Sequence, residues 1–107
     1  MSEHYLTSLL APKSVAIVGA SSREGALGGF VWQNMLRAKY QGTLFAVNPR
    51  YTEIYGAPCY ASLADLPSVP ELIVVATPAK TVIDIIRDAG AKGVRHVGVV
   101  RGISGKR

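Results

Sequence analysis

Three short polar segments of this 107-residue chain have residue types suited to binding an anion. The first follows the apolar run Ser14 to Val18 and reads GASSREGALGG, with small residues, two hydroxyls and one arginine. Exposed backbone amides that lead into a helix N-terminus attract phosphate groups. This segment therefore predicts a phosphate-binding loop, and its candidate residues are Gly19, Ala20, Ser21, Ser22, Arg23 and Gly25.

The second segment, Asn48-Pro49-Arg50, indicates which kind of nucleotide would fit. Folds that bind NAD place an acidic residue at this point, where it binds the ribose hydroxyls. A cation instead suits a ligand with a phosphate on its ribose, such as NADP or coenzyme A. The first loop also lacks the G-x-G-x-x-G spacing, because Gly19 is followed by Ala20 and Ser21. NAD is therefore disfavoured.

The third segment, Thr77-Pro78-Ala79, follows another apolar run, and all three segments must be positioned by the elements around them. Strands are predicted at Ser14 to Val18, Leu44 to Val47, Ile54 to Tyr60, Glu71 to Ala76 and Val94 to Val100. The third of these contains Gly56 and Pro58, so a short edge strand is expected there.

Two amphipathic helices are predicted between the strands. The apolar face of the first is formed by Phe30, Val31, Met35 and Leu36, and that of the second by Val82, Ile83, Ile86 and Ala89. Strands separated by such helices pair in parallel through right-handed crossovers. The predicted fold is an α/β, Rossmann-like open parallel sheet with helices on both faces and strand order 3-2-1-4-5. Because ligands bind at the carboxyl ends of such strands, the three polar segments are expected to converge.

Three stretches in the correct order also carry a family resemblance: LLAPKSVAIVGASSREGALGG, GTLFAVNPRYTEIYGAPCYASLADLP, and ELIVVATP with GAKGV. Together they resemble the N-terminal CoA-binding domain of ADP-forming acyl-CoA synthetases. The same domain is similar to the α-subunit of succinyl-CoA ligase and occurs in multidomain protein lysine acetyltransferases. The resemblance covers the chain from Leu9 to Val100.

The resemblance implies coenzyme A or an acyl-CoA as the ligand and a role for each segment. It implies that the first loop meets CoA phosphates and that Arg50 places a cation on the nucleotide phosphates. It also implies that Thr77, Pro78 and Ala79 lie beside the adenosine and pantetheine. The implied partners are further ligase or ATP-grasp domains or subunits.

No catalytic group and no metal site are predicted in this chain. Cys59 has no cysteine or histidine at metal-ligand spacing, and a small apolar role on a strand is expected for it. Related ligases relay phosphate through a histidine that, the resemblance implies, belongs to a second domain. His4 and His96 do not match it, so we expect both to be ordinary surface or strand-face residues.

The charge distribution disfavours nucleic acid as a partner. Of the formal net charge of +5, all the excess follows Asp88, since the chain up to and including Asp88 has seven basic and seven acidic residues. A dispersed basic tail without interleaved aromatic residues is a weak nucleic-acid signal. No apolar run approaches the roughly 20 residues of a membrane span, and no export signal is present, so a cytoplasmic protein is expected.

The C-terminal tail, residues 101–107, departs from the family pattern. Related synthetases continue with a Ser-Ala-Gly-Phe step and a further helix, whereas this chain has Arg101-Gly102-Ile103-Ser104. Without such a helix one face of the last strand would be uncovered. We therefore expect residues 1–107 to be a single domain and an N-terminal fragment of a longer protein, with a homodimer or a partner as alternative covers.

Three functions of different classes are compatible with these residues. The first is CoA binding on behalf of a parent synthetase or acetyltransferase, which the sequence does not distinguish. The second is a stand-alone regulatory or redox-sensing domain that binds NADP or another nucleotide. A third reading is a scaffold with a vestigial site.

Overall fold

Five parallel strands form most of one sheet in the computed structural model, which describes residues 12–77, 81–94 and 96–99. Within these ranges the strands are β1 Ser14–Val18, β2 Thr43–Val47, β3 Glu53–Ile54, β4 Ala57–Tyr60, β5 Leu72–Val75 and β6 His96–Val99. The helices are α1 Leu27–Arg37 and α2 Val82–Lys92, with a 3₁₀ turn at Leu63–Asp65. None of the helices so described is long and apolar enough to cross a membrane.

The sheet has the order β3-β4-β2-β1-β5-β6, and every pairing except that of β3 with β4 is parallel. Strand order reverses at β1, whose neighbours are β2 and β5. Val18, the last residue of β1, is in register with Val47 of β2 and Val75 of β5. The three strands therefore end at the same level, and their loops leave the sheet together.

The predicted single edge strand from Ile54 to Tyr60 is wrong in one respect, because this stretch is a hairpin. β3 runs antiparallel to β4, with Ile54 opposite Ala57. Tyr55 and Gly56 between them have positive φ angles of 50° and 84°. Two consecutive positive φ values are typical of the tight turn that reverses a chain between hairpin strands. The predicted order 3-2-1-4-5 therefore holds, with the edge strand replaced by two.

Side chains of β1 alternate between two cores, one on each face of the sheet. Ala16 and Val18 pack on the face covered by α2, and Val15 and Ile17 on the face covered by α1. All four are buried. Burial on both faces explains why the strand is a continuous apolar run without alternation. It also confirms the predicted Rossmann-like sheet with helices on both faces.

The buried face of α1 differs from the predicted one. Phe30 and Leu36 were expected on it, but their side chains are 63% and 55% exposed. Val31 packs against the core as predicted, and the helix buries Gly28 and Trp32, with the predicted Met35 packed beside them. Spacings of four and three residues keep these on one side of a helix, and the glycine determines which side lies nearest the sheet.

The buried face of α2 is also displaced from the prediction. Ile83 and Ile86 are 71% and 47% exposed, whereas Val82, Ile85 and Ala89 pack against the sheet. The sequence has apolar residues at adjacent positions, so two overlapping stripes satisfy helical spacing. Val82 and Ala89 belong to both stripes and are confirmed, and the buried stripe has Ile85 in place of Ile83 and Ile86.

Candidate ligand-binding site

Gly19, the first residue after β1, lies against the ends of both neighbouring strands. Its amide donates a hydrogen bond to the carbonyl of Val47 at 2.8 Å, which joins the ends of β1 and β2. On the other side, a Cβ at this position would lie 2.7 Å from Cγ2 of Thr77 and 2.8 Å from the carbonyl oxygen of Ala76. Gly19 also has φ +94°. Both the space and the backbone conformation therefore require glycine.

The loop after β1 is pressed closely against the first turn of α1. A Cβ at Gly28 would lie 1.8 Å from the carbonyl oxygen of Gly19, and one at Gly29 would lie 2.5 Å from that of Ser21. These two glycines were not among the predicted site residues. Their signal was the Gly-Gly pair at the start of the predicted helix, which allows backbone to pack on backbone.

The N-terminus of α1 carries no compensating negative charge from its own side chains. Its N-cap residue is Ala26, which makes no side-chain hydrogen bond, and the first turn contains no acidic residue. The first amides of a helix have no intrahelical acceptor and carry a partial positive charge. An anion above the loop would therefore meet unpaired donors. Gly25, with φ +84° and open space around it, makes the turn into this helix.

Asn48 joins the loop after β2 to the loop after β1. Its side-chain Nδ2 donates to the carbonyl of Ala20 at 2.9 Å, and its Oδ1 accepts from the amide of Arg50 at 2.9 Å. Both ends of the amide are thus bonded to backbone. The structure gives Asn48 a positioning role, while the neighbouring Pro49 is exposed.

Ser21 and Ser22 differ in their surroundings although both were predicted as phosphate ligands. Ser21 is only 7% exposed, and its Oγ accepts from the amide of Arg23 at 3.0 Å. The same oxygen lies 3.0 Å from the hydroxyl of Tyr51. Ser22 is exposed. Tyr51 was not predicted, and nothing in its local sequence signals a partner 30 residues away.

Two predicted cations at the site are not neutralised by acidic side chains of the described residues. Arg23 and Arg50 are exposed. Among the described residues an ion pair is seen only between Arg87 and Asp84 on α2, so Arg23 is not paired with Glu24. The guanidinium groups of Arg23 and Arg50 are therefore accessible to an anionic ligand.

Thr77, the first residue of the third segment, is half-buried beside Gly19. Its Oγ1 accepts a hydrogen bond from Oγ1 of Thr81 at 2.7 Å, which links the end of β5 to the start of α2. The other two predicted residues of this segment, Pro78 and Ala79, lie outside the described residues.

The remaining candidates for chemistry are metal-ligand clusters, the single cysteine and the two histidines. The described residues contain no group of three or more His, Cys, Asp or Glu side chains that could hold a metal ion. The Sγ of Cys59 lies 3.5 Å from the carbonyl oxygen of Asn48 and donates to it, and burial raises the pKa of the thiol. The Cys59 side chain is thus bonded to the start of the loop after β2. His96 is an exposed residue of β6, and His4 lies outside the described residues.

A strand-end site of this kind matches one family of domains. Residues 13–106 fit the model of the CoA binding domain. The chain belongs to this family. The match confirms the resemblance recognised in the sequence and supports coenzyme A as the ligand of this CoA binding domain.

Curated and structurally solved relatives agree with the assignment. The acetate–CoA ligase [ADP-forming] I of Archaeoglobus fulgidus is 39% identical over 92 residues, which are 86% of this chain and 13% of that protein. Acetyl-coenzyme A synthetase 1 of Ca. Korarchaeum cryptofilum, solved with phosphate and ADP, aligns with TM-score 0.81 and 30% identity over 86% of this chain and 20% of that one. The chain thus spans a small part of these proteins.

A much shorter protein is also similar. A conserved hypothetical protein from Pyrococcus furiosus aligns with TM-score 0.76 and 28% identity, over 87% of this chain and 78% of that one. The domain therefore has structural relatives both within long ligases and among short chains.

Proposed function

We propose that this domain binds coenzyme A across the carboxyl ends of β1, β2 and β5, with its phosphates over the loop from Gly19 to Gly25. The observation that carries this proposal is the pair of hydrogen bonds made by Asn48. They fix the exposed Arg50 beside the loop that leads into the uncapped N-terminus of α1. Two positive features are thereby held together at one end of the sheet. A nucleotide with both a pyrophosphate and a ribose phosphate matches them.

The predicted residues divide into three roles in this proposal. Gly25, which has open space around it, supplies backbone that a phosphate can approach closely, and the exposed Ser22 and Arg23 contribute side-chain donors. Gly19 and the buried Ala20 position the loop, since their backbone groups are bonded to Val47 and Asn48. Asn48 and Pro49 shape the loops, and Ser21 contributes its hydroxyl to phosphate binding. Arg50 faces the ribose phosphate, while Thr77, with Pro78 and Ala79, borders the adenosine and pantetheine.

We further propose that the domain works as the nucleotide-binding part of a longer protein. The long relatives are ADP-forming ligases, and an acyl-CoA synthetase is therefore the parent that the comparisons favour over an acetyltransferase. In either parent the thiol end of CoA extends toward catalytic groups supplied by other domains. The chain itself contributes binding and orientation.

Isothermal titration calorimetry of the 107-residue chain with CoA, acetyl-CoA, NADPH and NADH tests the ligand class. We expect binding of CoA in the micromolar range, which is about 8 kcal/mol of binding free energy. The two dinucleotides should give no comparable heat. Binding of NADPH with no binding of CoA would contradict the proposal.

The role of Arg50 is tested by comparing CoA with dephospho-CoA, which lacks the ribose phosphate. Arg50→Glu should weaken CoA binding by roughly 100-fold, since a charge-assisted bond is replaced by repulsion. Dephospho-CoA should lose much less. Arg37→Glu is the matched control, because it makes the same charge change at the far end of α1. Equal losses for the two ligands would show that Arg50 does not contact the ribose phosphate.

One observation favours a second function, a stand-alone NADP-binding regulatory domain. The chain covers most of the short Pyrococcus furiosus protein, so a domain of this size exists outside long ligases. The cation after β2 also fits the ribose phosphate of NADP. The same calorimetry separates the two functions, because only this alternative gives NADPH binding in the absence of CoA binding.

A further inference from the structure

Tyr51 lies next to a residue of the proposed site, and the proposed function has not used it. Its hydroxyl is 3.0 Å from Oγ of Ser21, which connects the segment after β2 to the loop after β1. The two side chains differ in exposure, since Ser21 is 7% exposed and Tyr51 is half-buried against the α1-side core. The contact therefore lies at the boundary between core and surface.

The number of hydrogen atoms at this contact is informative. Ser21 and Tyr51 have one hydroxyl hydrogen each, and the bond between them uses one of the two. Ser21 also accepts from the amide of Arg23, so that bond uses no hydroxyl hydrogen. Whichever residue donates, one hydroxyl hydrogen of the pair is not used by the contacts of the described residues. That hydrogen is available to an acceptor outside these residues.

The position of the pair indicates which acceptor that is. Ser21 belongs to the loop that turns into α1, and its carbonyl oxygen would be within 2.5 Å of a Cβ at Gly29 in the first turn of that helix. In parallel α/β sheets the pyrophosphate of a bound nucleotide lies at this helix N-terminus. A pyrophosphate oxygen carries negative charge and accepts a hydroxyl hydrogen strongly.

We propose that the Ser21–Tyr51 hydroxyl pair donates its remaining hydrogen to the pyrophosphate of the bound nucleotide, with Tyr51 fixing Ser21 for that bond. This inference rests on the proposed function, because it assumes a nucleotide over the loop. It adds Tyr51 as a positioning residue. It also separates Tyr51 from Arg50, the preceding residue, which is assigned to the ribose phosphate.

Tyr51→Phe is the appropriate variant because it removes the hydroxyl and keeps the ring that packs in the core. Its affinity for CoA and for dephospho-CoA should fall by the same factor, roughly tenfold, since both ligands contain the pyrophosphate. Affinity for adenosine 3′-phosphate, which has no pyrophosphate and can be titrated by NMR, should be unchanged. Arg50→Glu should give the opposite pattern, with adenosine 3′-phosphate weakened.

Two controls distinguish positioning from a general loss of structure. Tyr55→Phe makes the same chemical change at an exposed position of the hairpin turn and should leave all three affinities unchanged. In a double-mutant cycle, Ser21→Ala and Tyr51→Phe together should weaken CoA by much less than the product of their single effects, because they remove the same bond. Ser21→Thr, which keeps a hydroxyl, should recover most of the loss of Ser21→Ala.

The outcomes that overturn the inference differ from those that overturn the proposed function. If the parent chain binds no CoA, the proposed function fails and this inference fails with it. If the parent chain binds CoA and Tyr51→Phe binds it equally well, only the inference fails. The inference also fails if Tyr51→Phe weakens adenosine 3′-phosphate as much as CoA, or if the effects of Ser21→Ala and Tyr51→Phe are independent. Tyr51 would then have only a structural role in the loop.

Discussion

Gly28 illustrates how one atom can determine the geometry of the site. A methyl group at this residue would lie 1.8 Å from the carbonyl oxygen of Gly19, well inside van der Waals contact. The neighbouring atoms are backbone, so no side-chain rotation relieves the clash. Relief requires α1 to move away from the loop that its N-terminus faces.

We predict that Gly28→Ala lowers the free energy of unfolding by about 2 kcal/mol. Alanine gains about 1 kcal/mol over glycine from helix propensity, but forcing an extra carbon into a packed interface costs about 3 kcal/mol or more. The clash therefore dominates. Urea unfolding followed by circular dichroism measures the difference.

Gly90→Ala is the control for this substitution. Gly90 is also helical, but a Cβ there meets nothing within 4 Å. Only the propensity effect remains, so the variant should be more stable than the parent by about 0.5–1 kcal/mol. A stabilised Gly28→Ala variant would show that α1 does not lie as close to Gly19 as the structure has it.

For single residues, the sequence predicted where the site residues lie in the sheet but not which residues they bond. The sequence placed Gly19, Asn48 and Thr77 at the same end of the sheet, because parallel strands bring their carboxyl ends together. The bonds of Asn48 to Ala20 and Arg50, and of Ser21 to Tyr51, depend on how two loops pack. That packing is a tertiary property, and no local pattern encodes it.

At the scale of elements, the two helices show where periodicity is ambiguous. Both contain adjacent apolar residues, and in both the predicted stripe was partly exposed. Ile85 and Ile86 show that residue type alone does not determine which position is buried. They are identical residues at neighbouring positions, and only Ile85 packs against the sheet.

We predict that Ile85→Ala destabilises the domain by about 2 kcal/mol, at the low end of the usual range because the side chain is only partly buried. Ile86→Ala should change the free energy of unfolding by less than about 0.5 kcal/mol, as is usual for surface positions. Chemical denaturation of both variants under identical conditions tests the assignment. Equal losses would mean that α2 is rotated about its axis.

The strands were predicted more accurately than the helix faces. The bounds of β1 are those predicted, and the predicted bounds of β2 and β5 are within one residue of the observed ones at each end. A strand buried on both faces has no ambiguous face to assign. The hairpin was missed because one of its turn residues, Tyr55, has a positive φ, which tyrosine rarely adopts.

At the scale of the whole molecule, ligand binding and folding are linked. A ligand that binds only the folded chain stabilises it by about 2.7 kcal/mol when its free concentration is 100 times Kd. Each kcal/mol shifts the Tm of a domain of this size by roughly 4–8 °C. We therefore predict that saturating CoA raises Tm by about 10 °C or more.

Differential scanning fluorimetry with CoA, NADPH and NADH measures this shift directly. NADH serves as the control, because it contains a pyrophosphate but no ribose phosphate for Arg50. A shift with NADPH and none with CoA would favour the regulatory domain over the CoA-binding one.

The hairpin also gives the sheet two unlike edges. β3 has two residues and presents few free backbone groups, whereas β6 has four residues and forms the opposite edge of the described sheet. A short edge strand is a poor template for further pairing, and a longer one is a better template. A strand recruited from elsewhere would therefore pair with β6 and not with β3.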